Sequence, residues 1–222
     1  MKEHGAYTEE EAASYEADRA VEPLWHIENA YVRDLVMRRC DVSILDVPIG
    51  TGRFLEFYGD RKVSGVDLSQ SMLDMAQERA AYLGIRDITL MKGSVVQLPF
   101  SDGEFDLVVC WRLLHLLPPE SLAPALISMA RVCRGTLCVQ VYERATFLRR
   151  VVAKTVRWVR RIGLIAARKR KLTPWSHIYA YSHTRQDVES AAQAAGLGLP
   201  TICDNLGSYE GTNVIVLQWI RE

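Results

Sequence analysis

Two carboxylates and two glycines at fixed intervals carry the first chemical signal in this 222-residue chain. In ILDVPIGTGRF, Asp46 closes an apolar run, and Gly50 and Gly52 shape the turn that follows. Glycine tolerates positive φ there and lets backbone N–H groups approach a ligand closely. Asp67 stands 17 residues beyond Gly50, in GVDLSQSML. A carboxylate ending a second strand is placed to accept both hydrogen bonds of a ribose diol. The plainer reading is a charge at a helix N-terminus. His115, in WRLLHLL, has the pKa range of a general base; a structural histidine capping its loop is the alternative. Arg112 suits either an acidic substrate or a salt bridge.

The elements that must position these residues follow from hydrophobic periodicity. Residues 22–39 read as an amphipathic helix with Leu24, Ile27, Tyr31, Leu35 and Val36 on its apolar side. Strands are expected over 42–47, 62–66, 88–92, 105–111 and 135–142. Helices are expected over 70–83, with Ser69 as N-cap and Gly84 as stop, and over 119–132. Thr184 caps a further helix that runs through Ala195, and two apolar runs, 199–204 and 213–220, suggest a terminal hairpin. Alternation of this kind predicts an α/β, Rossmann-like, doubly wound and mostly parallel seven-stranded sheet. One domain spans 1–222, divided into an N-terminal helical cap (1–39), a cofactor-binding core (40–142), a basic helical and aromatic insertion or lid (143–183), and a C-terminal helix and hairpin (184–222).

Composition narrows the class. Apolar residues make up 49% of the chain and charged residues 24%, enough to bury a core. Five scattered cysteines without a CxxC spacing argue against a disulfide framework and a metal site, and for a reducing cytoplasm. The acidic N-terminus lacks the apolar stretch of a signal peptide, and no apolar run reaches the roughly 18 residues that span a bilayer. The 27 basic and 27 acidic residues balance only in total. Eleven Lys or Arg and no acid fall within 144–171, leaving 16 basic against 27 acidic residues elsewhere. There, Leu148, Val152, Thr155, Val159 and Ile162 recur at helical spacing, with Arg150, Lys154, Arg157 and Arg161 on another face. Three readings stand: an anionic membrane surface, a substrate cap with solvated arginines, or nucleic acid, the last disfavoured because aromatics are not interleaved with the charges.

LDVPIGTGRF, GVDLSQSML and GSVVQLPFSDGEFDLVVCWRLLHLLPP, in that order, resemble the motifs of class I S-adenosylmethionine (SAM)-dependent methyltransferases of the type 11/25 kind. The resemblance covers about residues 40–141. It implies SAM as cofactor and S-adenosylhomocysteine (SAH) as product, bound by Asp46, Pro48, Gly50, Gly52, Asp67, Leu68, Met72, Ser94, Val95 and Cys110, with His115 as the catalytic candidate. Pro48 stands where the family usually has its first glycine, and Ser94 where it usually has an aspartate. Tyr15 and Arg19 resemble an N-terminal segment that closes over the cofactor. Trp175, His177, Tyr179, Tyr181 and His183, within 173–184, suit an acceptor pocket or one face of a packed edge strand. A nicotinamide-dependent oxidoreductase fits poorly, since Pro48, Gly50 and Arg53 occupy its glycine positions.

The expected activity is methyl transfer to an O, N or C atom of a small or lipid-linked acceptor, in the cytoplasm or at the inner membrane face. A SAM-binding module without catalysis and an RNA methyltransferase are the alternatives. No metal is expected, and the oligomeric state is open.

Overall fold

A computed structural model describes residues 24–39, 42–144, 181, 183–209 and 212–221. In chain order these form α1 (Trp25–Met37), β1 (Ile44–Asp46), α2 (Leu55–Tyr58), β2 (Val63–Asp67), α3 (Gln70–Leu83), β3 (Ile88–Lys92), β4 (Phe105–Cys110), α4 (Pro119–Val132), β5 (Cys133–Arg144), α5 (Arg185–Ala194), β6 (Ile202–Tyr209) and β7 (Thr212–Ile220). Short 3-10 turns occupy Val95–Gln97 and Leu114–Leu116.

Local chemistry sets the helix ends. The Ser69 hydroxyl accepts from the Met72 amide, and Gly84 closes α3 at φ 72°, a conformation that costs glycine little. Thr184 and Asp187 form a reciprocal capping box at the start of α5.

All seven strands join one sheet in the order β3-β2-β1-β4-β5-β7-β6. β3 through β5 run parallel, and β7 is antiparallel to both β5 and β6. The α/β, seven-stranded architecture expected from the sequence is thus the one observed, including the hairpin. Its first strand begins and ends later than the apolar run 199–204. β6 pairs with β7 from Ile202 to Tyr209 around an irregularity between Asn205 and Gly207. Polar residues on an edge strand conceal it from a search for apolar runs.

Side chains from the two faces of the sheet form two apolar clusters. Leu126, Met129, Val132, Val188 and Ala192 pack one face; Val32, Val36, Leu73, Ala76 and Ala80 pack the other. With both faces covered, the carboxyl ends of β1, β2 and β4 are left to open on loops. The strand order reverses between β1 and β4, where such sheets hold ligands.

Gly135 sits where β5 passes the register irregularity of β4, and a Cβ there would collide with the Asp106 carbonyl. Gly135→Ala should therefore cost about 1–3 kcal/mol, lowering Tm by a few degrees per kcal/mol. An unchanged calorimetric Tm would show that the strand shifts freely.

Candidate active site

The turn from β1 to α2 is held from outside. Gly50 and Gly52 adopt φ of 56° and 77°. The Gly50 amide donates to Asp67 Oδ2 at 3.0 Å, and the Ser69 amide donates to Asp67 Oδ1 at 2.9 Å. Asp67 thereby ties the turn to the end of β2 and the start of α3. Burial raises its pKa, while the amides of Ser69, Gly50 and Leu68 pull the other way by favouring the ionised form.

A cleft partly open to solvent lies against this turn. It is lined by Pro48, Gly50, Asp67, Leu68, Met72, Ser94, Val95 and Arg112, all singled out from the sequence. Arg53, Phe54, Trp111, Leu113, Leu116 and Leu117 also line it. A Cβ on Gly50 would meet none of the described residues within 4 Å, so they leave the backbone there accessible. Leu68 is 43% exposed, an apolar surface available to a flat ring. The Ser94 hydroxyl accepts from the Val96 amide at 3.5 Å, a long contact.

Asp46, Gly52 and Cys110 are not among the lining residues. A Cβ on Gly52 would meet Leu55 Cδ1 at 2.5 Å and Ala76 Cα at 3.3 Å, so glycine there lets helices pack. Cys110 is fully buried in the core, and desolvation pushes its thiol pKa up. Asp46 lies beneath the turn. Its Oδ2 accepts from the Tyr58 hydroxyl at 2.8 Å, while Oδ1 has no hydrogen-bond partner among the described residues. Desolvation, opposed by that hydrogen bond, pushes its pKa up to about 7.

Arg112 adopts φ 55° and sends Nε and Nη2 to Glu28 Oε2, at 3.2 and 3.0 Å. Of the two roles open to it from sequence, the salt bridge is the contact observed. Glu28, fully buried, also accepts from Arg53 Nη1 at 2.9 Å and from Gln140 Nε2 at 2.7 Å. The Arg53 guanidinium lies 3.5 Å from the Trp25 ring centroid. Periodicity placed Ile27 on the buried side of α1, but Ile27 is 45% exposed and Glu28 is inside. The available signal was position: Glu28 falls four residues after Leu24 and four before Val32, on the apolar stripe.

His115 is not among the lining residues either, although Leu116 and Leu117 are. Its ring meets Tyr142 edge-on, with centroids 4.8 Å apart, and its carbonyl accepts from the Tyr181 amide at 2.6 Å. His183 is buried, with Nε2 2.8 Å from the Leu117 carbonyl. Tyr15, Arg19, Trp175, His177, Tyr179 and the basic residues of 145–171 lie outside the described residues. Among the described residues, no group of three or more His, Cys, Asp or Glu is placed to hold a metal ion, and no helix is long and apolar enough to cross a membrane.

The pKa of Asp46 has a sign that can be tested. Its folded value of about 7 lies above the roughly 3.9 of an unfolded aspartate. The folded state therefore holds the extra proton, so the stability it brings is full below the unfolded value and lost as pH rises through the folded one. Relative to Asp46→Asn, which stays neutral, wild type should lose unfolding free energy between pH 4 and 8 in denaturant titrations. A difference that does not change with pH would mean that Asp46 titrates normally.

Residues 44–135 match a family model described as a methyltransferase domain. The chain is 37% identical over 94 residues to phosphatidylethanolamine N-methyltransferase of Cereibacter sphaeroides, covering 41% of this chain and 45% of that one. It is 32% identical over 124 residues to demethylmenaquinone methyltransferase of Geobacillus stearothermophilus, covering 50% and 52%. The chain thus spans about half the length of the curated relatives it matches. Magnesium protoporphyrin IX methyltransferase from Synechocystis PCC 6803, solved with SAH, superimposes with a TM-score of 0.65 at 18% identity, covering 88% of this chain and 83% of that one. Residues 44–135 are thus similar to a methyltransferase domain, and the seven-stranded sheet that contains them shares its fold with that solved methyltransferase.

Proposed function

We propose that this chain binds SAM in the cleft between the β1 turn and β2 and transfers its methyl group to a small or lipid-linked acceptor. The observation that carries the reading is the Asp67 carboxylate, which lines the cleft while fixed by the Gly50 and Ser69 amides. An ionised carboxylate accepts about four hydrogen bonds, so two positions remain for a vicinal diol. Gly50 leaves the turn open for close approach, and Leu68, Met72 and Val95 offer apolar contact to a purine. These residues fit the cofactor, and the relatives' activities point the same way.

SAM supplies a methyl group on a positively charged sulfur, so the protein's task is alignment and exclusion of water. Trp111, Leu113, Leu116 and Leu117 provide an apolar wall on the β4 side of the cleft, which favours an apolar acceptor. His115, the catalytic candidate, stands beside that wall with its ring against Tyr142; this geometry supports a positioning role over proton transfer. The eleven cations of 144–171 suit an anionic lipid surface, which would bring a lipid-linked acceptor to the cleft. That reading expects salt-sensitive flotation with phosphatidylglycerol vesicles, lost when Arg157, Arg160 and Arg161 are reversed in charge. Flotation unaffected by the reversal would count against it.

Calorimetric titration with SAM and SAH tests the main reading. Asp67→Ala removes two charge-assisted hydrogen bonds of about 1.5–3 kcal/mol each and should weaken binding by about 100-fold or more. Binding unchanged by the substitution would remove Asp67 from the site. With an acceptor in hand, His115→Ala should lower kcat by less than the roughly 100-fold expected for loss of a general base.

A further inference from the structure

Helix α1 lies outside the matched segment 44–135, yet its first turn reaches both loops that wall the cleft. We propose that Glu28 is a positioning residue: its carboxylate fixes the turn after β1 and the loop after β4 relative to each other. The seat of the cofactor then depends on a helix that contributes no residue to its lining.

The contacts converge on one carboxylate. Glu28 Oε2 accepts from Arg53 Nη1, next in sequence to Gly52, and from Nε and Nη2 of Arg112, two residues beyond β4. Glu28 Oε1 accepts from Gln140 Nε2 at 2.7 Å, and Gln140 Oε1 in turn accepts from the Arg112 backbone amide at 2.9 Å. One carboxylate therefore governs Arg112 through both its side chain and, by way of Gln140, its main chain. That control matters because Arg112 is the one non-glycine among the described residues with positive φ. A long side chain holds such a conformation only where its surroundings impose it.

The same turn of α1 grips Arg53 independently. Asn29 Oδ1 accepts from Arg53 Nε at 2.7 Å, and the Trp25 carbonyl accepts from Nη2 at 2.9 Å. Both arginines line the cleft, so a shift of Glu28 moves two of its walls together. Burial makes the arrangement unforgiving, since removing one member leaves the others charged and desolvated. Glu28→Gln keeps the shape but loses the charge. In either amide orientation it places an N–H₂ donor against the donors of Arg53 and Arg112 or of Gln140.

The ligand readout rests on the proposed SAM site; the geometric readout does not. The test compares wild type, Glu28→Gln and Val32→Ala by SAH calorimetry and by amide hydrogen exchange. Val32 is fully buried on the same helix and shares an apolar cluster with Phe54 and Trp111 but makes none of these hydrogen bonds, so its truncation lowers Tm by loss of packing while every donor and acceptor of the network stays in place. Glu28→Gln should raise the SAH dissociation constant about tenfold or more and speed exchange in both 49–54 and 111–117, leaving 202–209 unchanged. Val32→Ala should weaken SAH much less than Glu28→Gln does, since it removes packing and leaves the hydrogen bonds that fix the two loops. Exchange in both loops equal to wild type would overturn the proposal, as would Val32→Ala weakening SAH as much as Glu28→Gln does. Wild type that fails to bind SAH would reject the cofactor reading, and the exchange comparison would still decide the role of Glu28. If Glu28→Gln does not fold, Gln140→Leu gives an exchange readout at 111–117 alone. It cuts the tie to the Arg112 amide while leaving the ion pairs in place, and slow exchange at 111–117 would then refute the proposal.

Discussion

Asp67 accepts the amides of Gly50 and Ser69 at the mouth of a sheet buried on both faces. A buried carboxylate is costly unless its oxygens find donors, and here backbone N–H groups from two segments supply them. Each would otherwise be an unpaired donor, the one at a glycine turn and the other at a helix N-terminus. The bonds thus serve the carboxylate and the backbone together. They also fix the spacing of β1, β2 and α3 at the edge where the cleft opens, so the candidate site and the fold share one constraint.

Three carboxylates near this edge show how environment decides role. Asp67 is buried but held by amides and reaches the cleft. Asp46 is buried with a single phenol donor and an oxygen unpartnered among the described residues, so its proton stays on until near neutrality. Glu28 is buried among two guanidinium groups and an amide, and binds helix α1 to the loops. Burial alone would have made the three alike. Donor type and number separate a cleft-lining carboxylate from one that keeps its proton to near neutrality and from an ionic link.

A second group of contacts gathers beyond β4. The Leu114–Leu116 turn presents Leu116 and Leu117 to the cleft while its other side is fastened by Tyr142, Tyr181 and His183. Tyr142, near the end of β5, meets the His115 ring, and the Tyr181 amide donates to the His115 carbonyl, so both contacts brace the turn beside the apolar wall.

Local rules made much of this legible beforehand. Ser69, Gly84 and Thr184 terminate helices through their own side chain or lack of one, and the parallel strands read as continuous apolar runs because both faces are buried. The spacing of Gly50, Gly52 and Asp67 likewise follows from short-range geometry. Tertiary structure decided what depends on partners distant in sequence. It placed β7, not β6, beside β5, because pairing along Thr136–Arg144 buries the more apolar strand in the sheet interior. It turned Glu28 inward on an apolar stripe, since only Arg53, Arg112 and Gln140, 25 to 112 residues away, make that burial tolerable. It also separated Asp67, which lines the cleft, from Asp46, which does not. The sequence shows each as an acid at a strand end, and only the packing of Tyr58 against Asp46 tells them apart.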